Sequence, residues 1–222
     1  YSVVGSGSKM GEEMKILVTG VNGQLGHDVM NELAKRGIEG IGSDIAPEYS
    51  GIADQSAVVN MPYVSLDITD EQAVEKTITE IKPDAVIHCA AWTAVDLAED
   101  EDKQDKVRAI NAGGSASIAK ACKKTDAKML YLSTDYVFDG KGDKPFEVDS
   151  PKNGLSVYGK TKSQGEDFVT STLSKYFIIR ISWVFGINGN NFIKTMLKLA
   201  ENHKELNIVC DQVGSPTYTY DL

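Results

Sequence analysis

The sequence predicts an α/β protein with a doubly wound parallel sheet, and three observations predict it. Short apolar runs alternate with segments whose apolar residues recur at helical spacing, the order of a parallel sheet covered by helices. The first run, residues 14–19 (MKILVT), suits a strand buried on both faces. It leads at once into Gly20, Gly23 and Gly26, a glycine-rich turn between a strand and a helix.

Each element follows in order. The helix after the glycine turn carries Leu25, Val29 and Leu33 at four-residue spacing and is closed by Gly37. A second strand over about 38–43 ends at Asp44. Residues 45–60 lack periodicity, contain Pro47 and Gly51, and read as a long loop. A third strand near 63–66 delivers Asp67. The helix over 70–81 turns Val74, Ile78 and Ile81 inward until Pro83-Asp84 breaks it. Residues 85–89 form the fourth strand, and 90–105 a loop running into a charged helix start. One helix is expected over 107–124 and a fifth strand over 127–133. Residues 135–154 are rich in turns, and Ser156 opens a further helix. A sixth strand over 176–181, a helix near 191–202 and a strand near 206–210 complete the pattern. Open sheets of this kind bind ligands at the carboxyl ends of their strands.

Composition narrows the class. The chain has 222 residues, 41% hydrophobic and 25% charged, ordinary values for a globular protein. Its net charge of -9 argues against nucleic-acid or anionic-membrane partners. No apolar run approaches the roughly 18 residues of a membrane helix. Cys89, Cys122 and Cys210 are far apart and odd in number, so they read as reduced thiols of a cytoplasmic protein. Residues 1–13 are small, polar and rich in glycine and serine, and read as an expression leader ahead of Met14. His27 and His203 lack the neighbours of a metal site, and none is expected. His88, at a strand end, reads as a core histidine in preference to a proton shuttle.

The chemistry-bearing residues cluster at predicted strand ends. Glycines in the turn allow positive φ and close approach of a pyrophosphate, while the helix N-terminus offers unpaired N–H groups. Gly20, Asn22, Gly23, Gln24, Leu25 and Gly26 are therefore the expected phosphate-binding turn of a dinucleotide cofactor. Asp44 lies where a carboxylate accepts from the adenosine ribose and repels a 2′-phosphate, which favours NADH over NADPH. A solvated loop aspartate is its alternative. Asp67 either accepts from the adenine amino group or caps the helix that begins near Asp70. Tyr158 and Lys162 are one helical turn apart, with Cβ atoms about 5–6 Å from each other. A phenol beside an ammonium is expected to have a lowered pKa and to serve as a general acid.

The glycine spacing, Asp67, His88-Cys89-Ala90-Ala91, Asn111, Ser133-Thr134 and Tyr158-x-x-x-Lys162 together resemble the extended short-chain dehydrogenase/reductase family. The resemblance spans almost the whole chain from Met14. It narrows with the segments 90–96 (AAWTAVD), 133–138 (STDYVF), 180–186 (RISWVFG), 189–192 (GNNF) and 211–217 (DQVGSPT). These resemble the branch that reduces a 4-keto-6-deoxysugar carried on thymidine diphosphate, a dTDP-4-keto-6-deoxysugar, with NADH or NADPH.

The resemblance implies a Rossmann-type domain over 14–182 and, over 183–222, the start of a smaller substrate-binding part. Family members continue through further helices, so that part is expected to be incomplete here. Tyr158 becomes the proton donor, and Lys162 the group that supports its phenolate and holds the nicotinamide ribose. Thr134 becomes a hydrogen-bond donor to the substrate carbonyl, with Ser133 its rival. Asn111 matches a helix asparagine that positions the lysine and a relay water; an ordinary interior polar residue is the alternative. Ala90 and Ala91 pass the cofactor by backbone contact. Thr93, Val95 and Asp96 face the sugar or its methyl group, Asp135 and Tyr136 touch substrate or pack under the catalytic residues, and Trp183 either walls the sugar site or packs in the core. A homodimer is compatible with this reading. Two other functions stay open. One is a non-catalytic regulatory subunit, since the beta subunit of methionine adenosyltransferase resembles the same family. The other is a nucleotide-sugar epimerase or dehydratase.

Overall fold

The structure, a computed structural model, describes residues 14–52 and 60–222. The expected leader and residues 53–59 of the expected long loop lie outside the described residues. Six strands form a parallel sheet: β1 (Lys15–Thr19), β2 (Glu39–Asp44), β3 (Tyr63–Ser65), β4 (Ala85–His88), β5 (Lys128–Thr134) and β6 (Tyr176–Ile181). Their order is β3-β2-β1-β4-β5-β6. Leu17 sits opposite Ile41 on one side and Val86 on the other, which sets the register at the centre. The strand order reverses at β1, so the carboxyl ends of β1 and β4 open a crevice there.

The helices are α1 (Gln24–Lys35), α2 (Glu71–Ile81), α3 (Gln104–Arg108), α4 (Ser115–Thr125), α5 (Val157–Thr172) and α6 (Phe192–Ala200). The alternation along β1 divides the core in two. Ile16 and Val18 pack with Val21 and with Met30 and Leu33 of α1. Leu17 points the other way, into Val74 and Ile78 of α2, Ile118 and Cys122 of α4 and Val169 of α5. Burying one such aliphatic side chain contributes about 1.5–3 kcal/mol. Two-sided burial is why β1 reads as a continuous apolar run.

Local chemistry sets the helix ends. Asp70 caps α2, accepting from the N–H groups of Gln72 and Ala73 at 3.0 Å each. Lys82 closes the same helix in a left-handed conformation, φ 51°. Ser156 caps α5 by accepting from Gly159 N–H at 3.0 Å.

Three expectations need correction. The expected single helix over 107–124 is α3 and α4 joined by a π-helical turn, Ala109–Gly114. Gly113-Gly114 holds α geometry weakly, and Ile68 packs so closely on Gly114 that an added Cβ would lie 2.6 Å from its Cδ1. The loop over 90–105 contains a 3₁₀ turn, Asp96–Glu99. Residues 206–210 form no strand: they lie exposed, and an apolar β-prone run takes strand form only when a sheet edge pairs with it. A short parallel pair that the sequence did not announce, β7 (Val184–Phe185) with β8 (Thr217–Tyr218), stands nearby.

Candidate active site

A cavity of about 880 Å³ lies over the carboxyl ends of β1, β2, β4 and β5. The glycine turn forms one wall. Gly20 has φ +75°, and a Cβ there would stand 2.6 Å from the Ala90 backbone nitrogen. At Gly26 a Cβ would meet the Gly20 carbonyl oxygen at 2.3 Å. Only glycine lets β1, β4 and α1 approach this closely. The turn is tied to β2 as well. Ser43 O accepts from Gly20 N–H at 2.8 Å, and Asp44 Oδ2 accepts from Asn22 N–H at 3.0 Å. Asp44 Oδ1 accepts from Ile45 N–H at 2.8 Å, so the carboxylate is oriented by backbone at the cavity wall. Asp67 also lines the cavity but does not cap α2. Its Oδ1 accepts from the backbone and hydroxyl of Thr69, at 2.9 and 2.7 Å, in a tight turn. This glycine cradle between Asp44 and Ala90 fits a dinucleotide.

The opposite wall belongs to α5. Ser156 starts the helix so that Tyr158 falls in its first turn and Lys162 one turn later. Gly159 lets α5 press on the turn after β5, where a Cβ would lie 2.1 Å from the Tyr136 carbonyl oxygen. Glu99 Oε1 accepts from Val157 N–H at 2.7 Å, placing an acid at the helix N-terminus. Lys162 is only 3% exposed. It donates to Leu132 O at 2.6 Å and stands 4.2 Å from the centre of the Tyr131 ring. Tyr136 meets the Tyr158 ring edge-on at 5.6 Å.

Electrostatics corrects one expectation. The Tyr158 phenol was expected below its ordinary pKa, yet burial pushes it above that value, against the opposing Lys162 charge and the Thr134 hydroxyl. Burial likewise holds the Lys162 ammonium below the usual lysine range, opposed by Tyr158, Cys89 and Glu166. The phenol thus keeps its proton at neutral pH, as a donor must. Burial also raises the Asp135 carboxyl, whose Oδ1 accepts from the Thr134 hydroxyl at 3.1 Å.

Ser133 and Thr134 both line the cavity, but their hydroxyls face different partners. Ser133 donates to Glu166 Oε1 at 2.6 Å, and Glu166 is gripped by Arg180 through Nε at 2.9 Å and Nη2 at 2.8 Å. Thr134 instead stands beside Tyr158. Gly20, Asn22, Gly23, Gln24, Leu25, Gly26, Asp44, Asp67, Ala90, Ala91, Thr93, Val95, Thr134, Asp135, Tyr136, Tyr158, Lys162 and Trp183 all line the cavity. Trp183 is 49% exposed at φ 46°, a wall residue and not a core one.

Two expected residues stay off the wall. Asp96 starts the exposed 3₁₀ turn. Asn111 is buried in the π turn, where Oδ1 accepts from Trp92 N–H at 2.8 Å. Its Nδ2 donates to Trp92 O and to Thr161 Oγ1, both at 3.2 Å. It fastens the loop after β4 to α5, one residue from Lys162, by holding the Trp92 backbone and the Thr161 hydroxyl.

His88 is a core histidine, pushed down to about 3 by burial and the Lys162 charge. Its Nδ1 lies 2.8 Å from Thr19 Oγ1 and its Nε2 3.3 Å from Ser115 Oγ. The sequence reading missed Lys106, which brings a second cation to the cavity wall, and Glu166. Glu166 lies four residues after Lys162, and that spacing on one helix face was the available signal.

The fold and this pairing of a glycine turn with a Tyr–Lys helix define an extended short-chain dehydrogenase/reductase type of Rossmann protein. A family model described as "RmlD substrate binding domain" matches residues 14–222, and the chain belongs to that family. It is 39% identical over 208 residues to the spore coat polysaccharide biosynthesis protein SpsK of Bacillus subtilis, covering 94% of this chain and 66% of that protein. It is 37% identical over 210 residues to the dTDP-4-dehydrorhamnose reductase of Mycolicibacterium smegmatis, covering 94% of this chain and 58% of that one. Among solved structures, a dTDP-4-dehydrorhamnose reductase from Clostridium acetobutylicum superposes with a TM-score of 0.82 at 43% identity, covering 94% of this chain and 67% of that one. A Bacillus anthracis dTDP-4-dehydrorhamnose reductase in complex with NADP has the same TM-score, 0.82, at 37% identity, with 95% and 68% covered. The chain spans 58% to 66% of the length of these two curated relatives.

Proposed function

We propose that this chain carries the cofactor-binding and catalytic part of a dTDP-4-dehydrorhamnose reductase, which reduces dTDP-4-dehydro-L-rhamnose to dTDP-L-rhamnose with NADH or NADPH. The observation that carries the reading is one cavity with the glycine turn on one wall and Tyr158, Lys162 and Thr134 on another. Relatives that bear this activity in their names support it.

When bound, the dihydronicotinamide supplies the hydride that forms the new C4–H bond of the sugar. Negative charge then develops on the former carbonyl oxygen. Tyr158 gives that oxygen its phenolic proton and completes the hydroxyl. Lys162, held by Leu132 O, places a positive charge where the phenolate forms. The Thr134 hydroxyl turns from Asp135 to donate to the same sugar oxygen. Tyr158 recovers its proton from solvent before the next turnover.

Residues 183–222 open the part that receives the sugar, with Trp183 as a flat apolar wall. Asp44 favours a ribose without a 2′-phosphate, so NADH is the preferred reductant in this reading.

The test follows NADH and NADPH oxidation at the nicotinamide absorbance band, with the 4-keto sugar generated in the cuvette. Oxidation that vanishes in Tyr158→Phe supports the reading. Cofactor binding without oxidation in the folded protein would defeat it and favour a regulatory subunit.

A further inference from the structure

The segment Gly189-Asn190-Asn191-Phe192 stood out in the sequence, and the chemistry above gives it no task. Asn191 caps α6, its Oδ1 accepting from Lys194 N–H at 3.0 Å. Its Nδ2 donates to Gln24 Oε1 and to Gly186 O, both at 2.9 Å. The segment therefore lies against the start of α1, next to the glycine turn.

The tighter clasp is its neighbour Asn188, only 2% exposed. Its Nδ2 donates to Asn22 O and to Gly23 O, both at 3.0 Å. Its Oδ1 accepts from Ile52 N–H at 2.9 Å. One buried amide thus satisfies three backbone groups on two segments remote from it in sequence. Asn22 reinforces the junction, since its own Oδ1 accepts from Ser50 N–H at 2.9 Å.

This arrangement has a consequence for the glycine turn. A trans peptide directs its carbonyl and the following N–H to opposite sides. Holding the carbonyls of Asn22 and Gly23 therefore fixes the directions of the Gly23 and Gln24 N–H groups. Gly23 N–H donates to Gly20 O at 3.1 Å, and the first intrahelical bond of α1 is His27 N–H to Gly23 O, so the N–H groups of Gln24, Leu25 and Gly26 in the first helical turn are the ones left for an anion. On the other side the turn is held by Ser43 and Asp44. Asn188 closes the bracket.

We infer that Asn188 is a positioning residue for the cofactor, locking the glycine turn, the loop after β2 and the 186–191 segment into one phosphate-binding frame. The inference rests on the cofactor reading above. It also makes the segment after β7 part of cofactor affinity, although that segment belongs to the expected sugar side.

The experiment measures NADH and NADPH binding by fluorescence for the parent protein, Asn188→Ala, Asn188→Ser and Asp70→Ala. Asp70→Ala removes the cap of α2 and is a destabilised control. Loss of Asn188's bonds is expected to weaken both cofactors about tenfold, and the serine, which keeps one donor, by less. Asp70→Ala is expected to bind like the parent despite a lower Tm. In the parent, hydrogen exchange should show cofactor protecting residues 20–26, 50–52 and 186–191 together. Parent-like binding by a folded Asn188→Ala overturns the inference alone. If that variant does not fold, parent-like binding by Asn188→Ser, or no protection at 50–52 and 186–188, overturns it. A parent that binds neither cofactor overturns the cofactor reading itself.

Discussion

The glycine-turn half of the molecule and the segment after β6 contain similar local signals and meet different fates. In the first, α1 turns Met30 and Leu33 into a closed core with Ile16 and Val18. In the second, α6 separates its apolar and polar faces clearly, yet no residue of it is buried, and Phe192, Ile193 and Leu197 are exposed. An amphipathic pattern states that a helix has a face to bury; it does not name the partner. The described residues supply that partner for α1 and none for α6. The segment before α6 is tied to the glycine turn by polar clasps, Asn188 and Asn191.

The largest test of this contrast is chemical. Tyr158→Phe is expected to lower turnover by about 10²-fold or more while cofactor affinity stays within a few-fold, since the proposed mechanism has the phenol act on the reacting oxygen and not on the phosphates. Steady-state rates beside fluorescence titration separate the two quantities, and unchanged turnover would remove Tyr158 from the chemistry.

Next come paired truncations. Leu17→Ala is expected to cost about 3 kcal/mol in denaturant unfolding, from a side chain the core closes completely. Leu197→Ala on α6 should change stability by no more than about 0.5 kcal/mol. Equal losses at the two positions would erase the difference between the regions.

A smaller effect concerns pH. His88 is buried neutral and titrates near 3 in the folded chain, against an ordinary 6.5 when unfolded. Between those values the unfolded chain binds the extra proton, so stability is complete above pH 6.5 and falls as pH drops toward 3. The slope is at most about 1.4 kcal/mol per pH unit from this one group. Melting temperatures of the parent and His88→Gln across that window should show a shallower decline in the variant. Parallel curves would mean that His88 is not the group responsible.

The smallest effect is discrimination. Asp44→Ala is expected to weaken NADH a few-fold more than NADPH, because only the carboxylate repels a 2′-phosphate. Equal changes in the two dissociation constants would remove Asp44 as the reader of the ribose.

Legibility followed the range of each interaction. Strand and helix order, the glycine turn, Asp44 and the Tyr158–Lys162 pair were readable because a few neighbouring residues specify them. The Asn111 task was not, because its partners Trp92 and Thr161 are distant in sequence and both are met through the fold. The engagement of the Ser133 hydroxyl by Glu166, itself held by Arg180, was not readable either, since no local pattern links those residues to β5. The strand expected over 206–210 failed for the same reason in reverse, since a local propensity met no sheet edge.

By itself the sequence determined the alternation of elements, the two-faced burial of β1 and the places where backbone must come close, since periodicity and glycine position are local properties. Only the tertiary structure decided the direction of the Tyr158 pKa shift, the partner of each buried hydroxyl and the bracket that Asn188 closes. Those depend on desolvation and on hydrogen bonds between segments far apart in the chain, and such distances are set only when the sheet is assembled.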